Sequence, residues 1–184
     1  MTIVVVKESI AASADAVWEI LANFGGIKVG GPITAFHMEG EGVGAVRTIT
    51  MGGGQVIERL ETFDPEQLTF SYVITNQDCP LPVANYSSVV QITRDGANGC
   101  TVEWAGTFEP RGVPEAQAEE IITGIYAGGI QRGKVIKREH QCADFFARTR
   151  LGILQRREEQ RSRARIKPVE YAGNALDAGG LPPP

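Results

Sequence analysis

The chain has 184 residues, 42% of them hydrophobic and 7% aromatic, with a formal net charge of −4; this bounds it to one globular domain with or without an appendage. No stretch reaches the ~20 apolar residues of a membrane span, and two histidines with three scattered cysteines (Cys79, Cys100, Cys142) give no zinc spacing, CxxC pair or disulfide framework. Charge is split along the chain: residues 1–130 hold 6 Lys+Arg against 16 Asp+Glu, whereas residues 131–184 hold 12 against 6, which argues against nucleic acid as a partner of the main body.

Residues 3–10 alternate as an opening strand. The start, Met1-Thr2-Ile3-Val4-Val5-Val6-Lys7-Glu8, lacks the basic head, long apolar run and small-residue cleavage site of a secretory signal, so the expected compartment is cytoplasmic. Ser13 reads as an N-cap with Asp15 in the first turn, and Ala16, Val17, Trp18, Ile20 and Leu21 follow at helical spacing. Asn23-Phe24-Gly25-Gly26 ends that helix, and 33–39 reads as a second strand. Four or five more strands are expected, at roughly 43–51, 54–63, 67–76, 84–94 and 100–109, with turns at Asp64-Pro65-Glu66 and Asp95-Gly96-Ala97-Asn98-Gly99. Spacing this close implies antiparallel neighbours. Pro114 and Glu115 then open a long helix with an apolar stripe of Ala118, Ile121, Ile122, Ile125, Tyr126 and Ile130. Gly124, Gly128 and Gly129 weaken that helix by up to ~1 kcal/mol each, and leave room for close packing or for a ligand. The class is α+β, a bent antiparallel sheet around the last helix.

The chemistry concentrates where a charge breaks an apolar strand. Arg47 and Glu58 flank a short glycine hairpin and can face each other. Facing inward they form a buried ion pair beside an apolar chamber, with Arg to fix an anionic oxygen and Glu to move a proton. Facing outward they form a solvated cross-strand bridge worth ~0.2–1 kcal/mol. Arg59 and Glu61 have the opposite parity from Glu58 and suit the outer face. Tyr72, Tyr86 and Trp104 lie on successive strands, either as pocket walls or as core. His37 reads as an ordinary strand histidine. Cys79, beside Pro80, reads as a rim residue without a base to activate it. Gly52-Gly53-Gly54 is no phosphate loop, since neither Gly-Lys-Ser/Thr nor a helix follows.

Trp18, Gly42-Val43-Gly44 before an Arg-bearing strand, Glu58-Arg59-Leu60-Glu61 with Asp64, Asn85-Tyr86-Ser87-Ser88 and Cys100-Thr101-Val102-Glu103-Trp104 together resemble the Bet v 1/START-like (SRPBCC) superfamily, in its polyketide cyclase/dehydrase-like branch. The resemblance covers about residues 1–135. It implies a helix-grip fold: a curved antiparallel sheet of about seven strands around a long C-terminal helix, with a short helix pair after strand 1. Glu58 to Asp64 and Asn85-Tyr86 are similar to pocket strands of the plant abscisic acid receptors, although Ser88 stands where those carry a basic residue and Met51-Gly52-Gly53-Gly54 does not reproduce their gate loop. Arg47 and Glu58 fall on the Arg and Glu pair of lachrymatory-factor synthase. With these likenesses beside the residue reading, Glu58 and Arg47 are the expected polar or catalytic pair and Tyr72, Tyr86, Trp104, Asn85, Ile125 and Phe36 the expected ligand-binding residues, with no metal and no cofactor expected.

Three functions remain open at this level. The leading one is binding of a small hydrophobic or aromatic ligand by a monomer or homodimer. The second is a cofactor-independent cyclase, dehydratase or isomerase using Glu58 as acid/base and Arg47 as anion stabiliser. The third is an interaction protein acting through the Arg-rich C-terminal part. Along the chain, 1–135 reads as the ligand-binding domain, 136–167 as a basic helical extension and 168–184 as a disordered tail.

Overall fold

The computed structural model describes residues 1–132 and 134. Its elements follow in the order β1 (Thr2–Ile10), α1 (Ala14–Leu21), β2 (Ile33–Glu39), β3 (Val46–Met51), β4 (Gly54–Asp64), β5 (Thr69–Ile74), β6 (Val83–Arg94) and β7 (Cys100–Pro110), then α2 (residues 115–132). The strands form one seven-stranded sheet in the order β1-β7-β6-β5-β4-β3-β2, antiparallel throughout. From β2 to β7 each strand pairs with the next in sequence, and β1 closes on β7 with Val6 opposite Trp104. This is the expected α+β helix-grip architecture. Ala118, Ile122, Tyr126 and Ile130 of α2 are all buried and join Leu60, Phe70, Tyr72, Val90, Val102 and Phe108 of the sheet in one core.

Local chemistry explains the element ends. Ser13 caps α1, its hydroxyl accepting from the Ala16 N–H at 3.4 Å, with Asp15 in the first turn. One helix stands where a helix pair was expected. The chain turns at Phe24-Gly25 and runs irregularly through 26–29, because two consecutive glycines carry a high entropic cost in a helix. The buried Phe24 and its carbonyl, which accepts from Arg47, hold this stretch against the sheet instead. At the β3–β4 hairpin, Met51 pairs with Gly54, and the two loop glycines have φ of 59° and 79°. Both central residues at positive φ are what a tight two-residue hairpin requires, so the glycine cluster serves the turn.

Two bulges reset which side chains face inward. On β4 the register shifts between Leu60 and Thr62, leaving Glu61 as the extra residue. On β6 it shifts between Ala84 and Ser87, with Asn85 at φ 50°. Among the described residues no helix is long and apolar enough to cross a membrane. The boundaries expected at 135/136 and 167/168, and every reading of the Arg-rich segment, lie outside the described residues.

Candidate functional site

β3 and β4 place Arg47 opposite Glu58 in register. Glu58 shares its face with Val56 and Leu60, both buried, so the pair points into the domain. Arg47 Nε donates to Glu58 Oε2 at 2.5 Å, with the two side chains only 12% and 9% exposed. Arg47 Nη1 donates to the Phe24 carbonyl at 3.1 Å. Its guanidinium also lies over two rings, 4.0 Å from the centroid of Phe24 and 5.2 Å from that of Tyr72. Charge, hydrogen bonding and cation–π contact therefore converge on one fixed arginine. Arg59 and Glu61 bond each other at 2.6 Å on the exposed side, as strand parity predicts.

Behind this pair runs a buried chain of polar groups. The Tyr72 hydroxyl lies 3.4 Å from that of Tyr86, which lies 2.7 Å from that of Tyr126 on α2. Trp104 Nε1 donates to Ser88 Oγ at 2.9 Å, and Ser88 donates to the Ala105 carbonyl at 3.0 Å. Trp104 also stacks on Tyr126, with centroids 5.2 Å apart and planes 12° from parallel. Among the described residues no buried side-chain nitrogen or oxygen lacks a partner.

Burial raises all three phenols above their ordinary value. For Tyr72 the nearby Glu58 charge adds to it, and for Tyr86 the neighbouring Tyr72 does. The unfolded phenol titrates at 10.0, so below that pH both states hold their protons and the contribution is fully present. Above it the unfolded chain releases protons that the fold retains, and stability falls as pH rises. The urea midpoint should hold to about pH 9.5 and then drop steeply by about pH 12; in Tyr86→Phe the drop should be shallower. A midpoint that stays flat through this window contradicts the burial of these hydroxyls.

Beside the network lies a cavity of about 280 Å³, between the end of α1, the sheet and α2. Ile20, Leu21 and Ile27 form one side, Arg47, Phe70 and Trp104 the sheet side, and Gly129 and Arg132 the α2 side, with Asn23, Gly26 and Lys28 completing the lining. Gly129 is needed there: a Cβ at this position would sit 2.6 Å from the Trp104 ring. A second depression of about 370 Å³, at the end of β5 and the start of β6, is lined by Thr75, Asn76, Gln77, Asn85, Tyr86 and Arg111 among others. It is larger but mostly polar. Apolar walls with a few placed polar groups mark ligand sites, so the first cavity is the candidate. Among the described residues no group of three or more His, Cys, Asp or Glu side chains is placed to hold a metal.

The structure brings together part of the sequence-derived set. Arg47 and Trp104 line the cavity, while Glu58 is joined to it only through Arg47. Tyr72 and Tyr86 are buried in the adjoining core, their hydroxyls satisfied by one another and by Tyr126. Ile125 is a correction: it is 39% exposed, because the inward face of α2 is set by Ile122, Tyr126 and Ile130, and Ile125 lies ~100° round the helix from Tyr126. Asn85 is another correction. The β6 bulge turns it outward, where its Nδ2 donates to Glu109 at 3.0 Å. Phe36 is half-buried on the edge strand β2 opposite Ile49, outside the lining. Cys79 is buried rather than on a rim, and His37 sits exposed beside Glu39. Phe70, Lys28 and Arg132 escaped sequence reasoning; only the alternation of β5 could have flagged Phe70, and nothing local marks the two cations.

Comparison with known proteins fits this geometry. Solved structures similar to this chain include a protein of Bacillus thuringiensis (29% identity, TM-score 0.63, 73% of this chain and 98% of that one) and XoxI of Bacillus cereus (29%, 0.64, 74% and 95%). Norcoclaurine synthase of Thalictrum flavum, solved with a transition-state analogue, is similar in fold at 18% identity and a TM-score of 0.61 over 76% of this chain and 96% of that one. No curated protein matches the chain. Residues 1–134 match the family described as polyketide cyclase / dehydrase and lipid transport. With the helix-grip fold and its cavity in place, the chain belongs to that family.

Proposed function

We propose that the protein binds a small apolar or aromatic molecule in the cavity between α1, the sheet and α2. One observation carries the reading: about 280 Å³ stays open against Ile20, Leu21, Phe70 and Trp104, directly beside a core whose polar atoms are already satisfied. Ligand sites begin near about 300 Å³, so the volume suits a molecule of one or two rings. Membership in a family described by cyclisation, dehydration and lipid transport supports an apolar ligand. A catalytic use of the same site, with Glu58 as acid/base and Arg47 as anion stabiliser, has less support, since Glu58 is not part of the lining and Arg47 occupies one of its oxygens.

The neutral fluorophore N-phenyl-1-naphthylamine tests the reading. Saturable binding with enhanced emission is expected, weakened about tenfold or more by Ile27→Trp, which fills the cavity from its loop side. Absence of saturable binding, or equal binding by the filled variant, sinks it.

A further inference from the structure

Resting on the reading that this cavity holds a ligand, we propose that the ligand is an anion: a small amphipathic molecule with an aromatic or branched apolar body and one acidic head, held at the rim by Lys28 and Arg132.

The distribution of charge carries the proposal. Residues 1–134 contain 8 Lys+Arg and 16 Asp+Glu, so the surface of this domain is predominantly acidic. The cavity nevertheless takes Lys28, Arg47 and Arg132 into its lining and no carboxylate. Five of the eight cations are ion-paired: Lys7 with Glu103, Arg47 with Glu58, Arg59 with Glu61, Arg94 with Asp15 and Lys134 with Glu8. Arg111 donates to the carbonyls of Cys79 and Leu81. Lys28 and Arg132 are the two that remain, with neither ion pair nor hydrogen bond among the described residues. They belong to different elements, the loop after α1 and helix α2, yet the fold brings both to the same opening.

Depth decides what each part of the ligand meets. Phe70 and Trp104 are buried, whereas Lys28 and Arg132 are exposed. The deep cation, Arg47, is already neutralised by Glu58, and the buried polar atoms have their partners. An apolar body entering first therefore displaces no hydrogen bond. An acidic head stays at the rim, where it keeps most of its hydration and gains two cations, and so avoids the penalty of a buried charge. Two unpaired cations at the mouth of a low-dielectric cleft also focus the field on it. A ligand amine would meet repulsion from both. The head is singly charged and compact, such as a carboxylate, because the lining offers two unpaired cations at its rim.

The test measures binding of 2-naphthylacetic acid, its primary amide and 2-(2-naphthyl)ethylamine to the full chain, by calorimetry at low and high salt. The acid should bind about tenfold tighter than the amide, with the amine weakest, as two exposed charges at contact distance allow. That preference should shrink at about 0.5 M salt, where screening acts within a few ångströms. Lys28→Gln and Arg132→Gln should each lower the acid-to-amide ratio, and the double variant should bring it near one; unchanged thermal midpoints verify the fold at these exposed positions. Equal affinity for acid and amide, preference for the amine, or an acid preference untouched by the double variant overturns the anion proposal while the amide still reports a cavity that binds. Failure of all three naphthyl compounds and of N-phenyl-1-naphthylamine removes the ligand-binding reading as well.

Discussion

Methionine in place of Arg47 is expected to lower the stability of the folded domain by about 3–5 kcal/mol. The substitution keeps an unbranched apolar stem but leaves the Glu58 carboxylate, 9% exposed, without its cation and the rings of Phe24 and Tyr72 without the guanidinium that lies over them. It also leaves the Phe24 carbonyl without the Nη1 donor that holds the segment after α1. The double variant Arg47→Met/Glu58→Leu should recover most of the loss, because replacing a buried pair by apolar groups is far cheaper than orphaning one member. Urea denaturation of the wild type, both single variants and the double variant measures this directly. A loss below about 1 kcal/mol in Arg47→Met would identify the pair as a solvated cross-strand bridge instead.

Gly106→Ala is expected to cost about 3 kcal/mol, although it adds one methyl group in the middle of a strand. Gly106 lies on β7 between Val4 and Ser88, and its missing side chain is where the Tyr126 hydroxyl sits. A Cβ there would be 1.9 Å from Tyr126 Oη. Tyr126 cannot swing away cheaply. It is fully buried, stacked on Trp104 and bonded to Tyr86, so α2 must lift or the hydroxyl must leave its partners. Overpacking costs about 1–3 kcal/mol and a broken buried hydrogen bond a comparable amount. Tyr126→Phe removes the clashing oxygen, leaving Cζ at 3.0 Å. The two substitutions should therefore couple, with the double variant more stable than the sum of the singles predicts. Strict additivity would mean that the helix does not rest on Gly106.

The hairpin order of β2 to β7 and the Arg47–Glu58 pairing were legible in the sequence because both depend on short-range rules, whereas the pairing of β1 with β7 was not. A two-residue glycine turn fixes register, and register fixes which side chains face each other. The N-cap at Ser13 is local in the same way. Asn85 was misplaced because a bulge breaks the period-2 rule, and no single residue in Ala84-Asn85-Tyr86 announces one beforehand. Ile125 was misplaced because a stripe of isoleucines is wider than the arc of α2 that touches the sheet, and only packing trims it. Lys28 and Arg132 carry no local signal at all. They line one cavity because the loop after α1 and helix α2 both border it, which is a property of tertiary structure.

The pairing of β1 with β7 bears on how this protein is made. Every other strand finds a neighbour next to it in sequence, but Thr2–Ile10 must wait until Cys100–Pro110 has left the ribosome. Until then its alternate residues Val4 and Ile10, buried in the finished domain, have no sheet to cover them. The nascent chain thus carries an unpaired apolar strand while the five strands between β1 and β7 are made, the kind of segment that chaperones retain and aggregates recruit. Sequence-distant closure of this sort also slows folding relative to hairpin formation. β1 can pair only after β7, which carries the cavity residue Trp104, has been made.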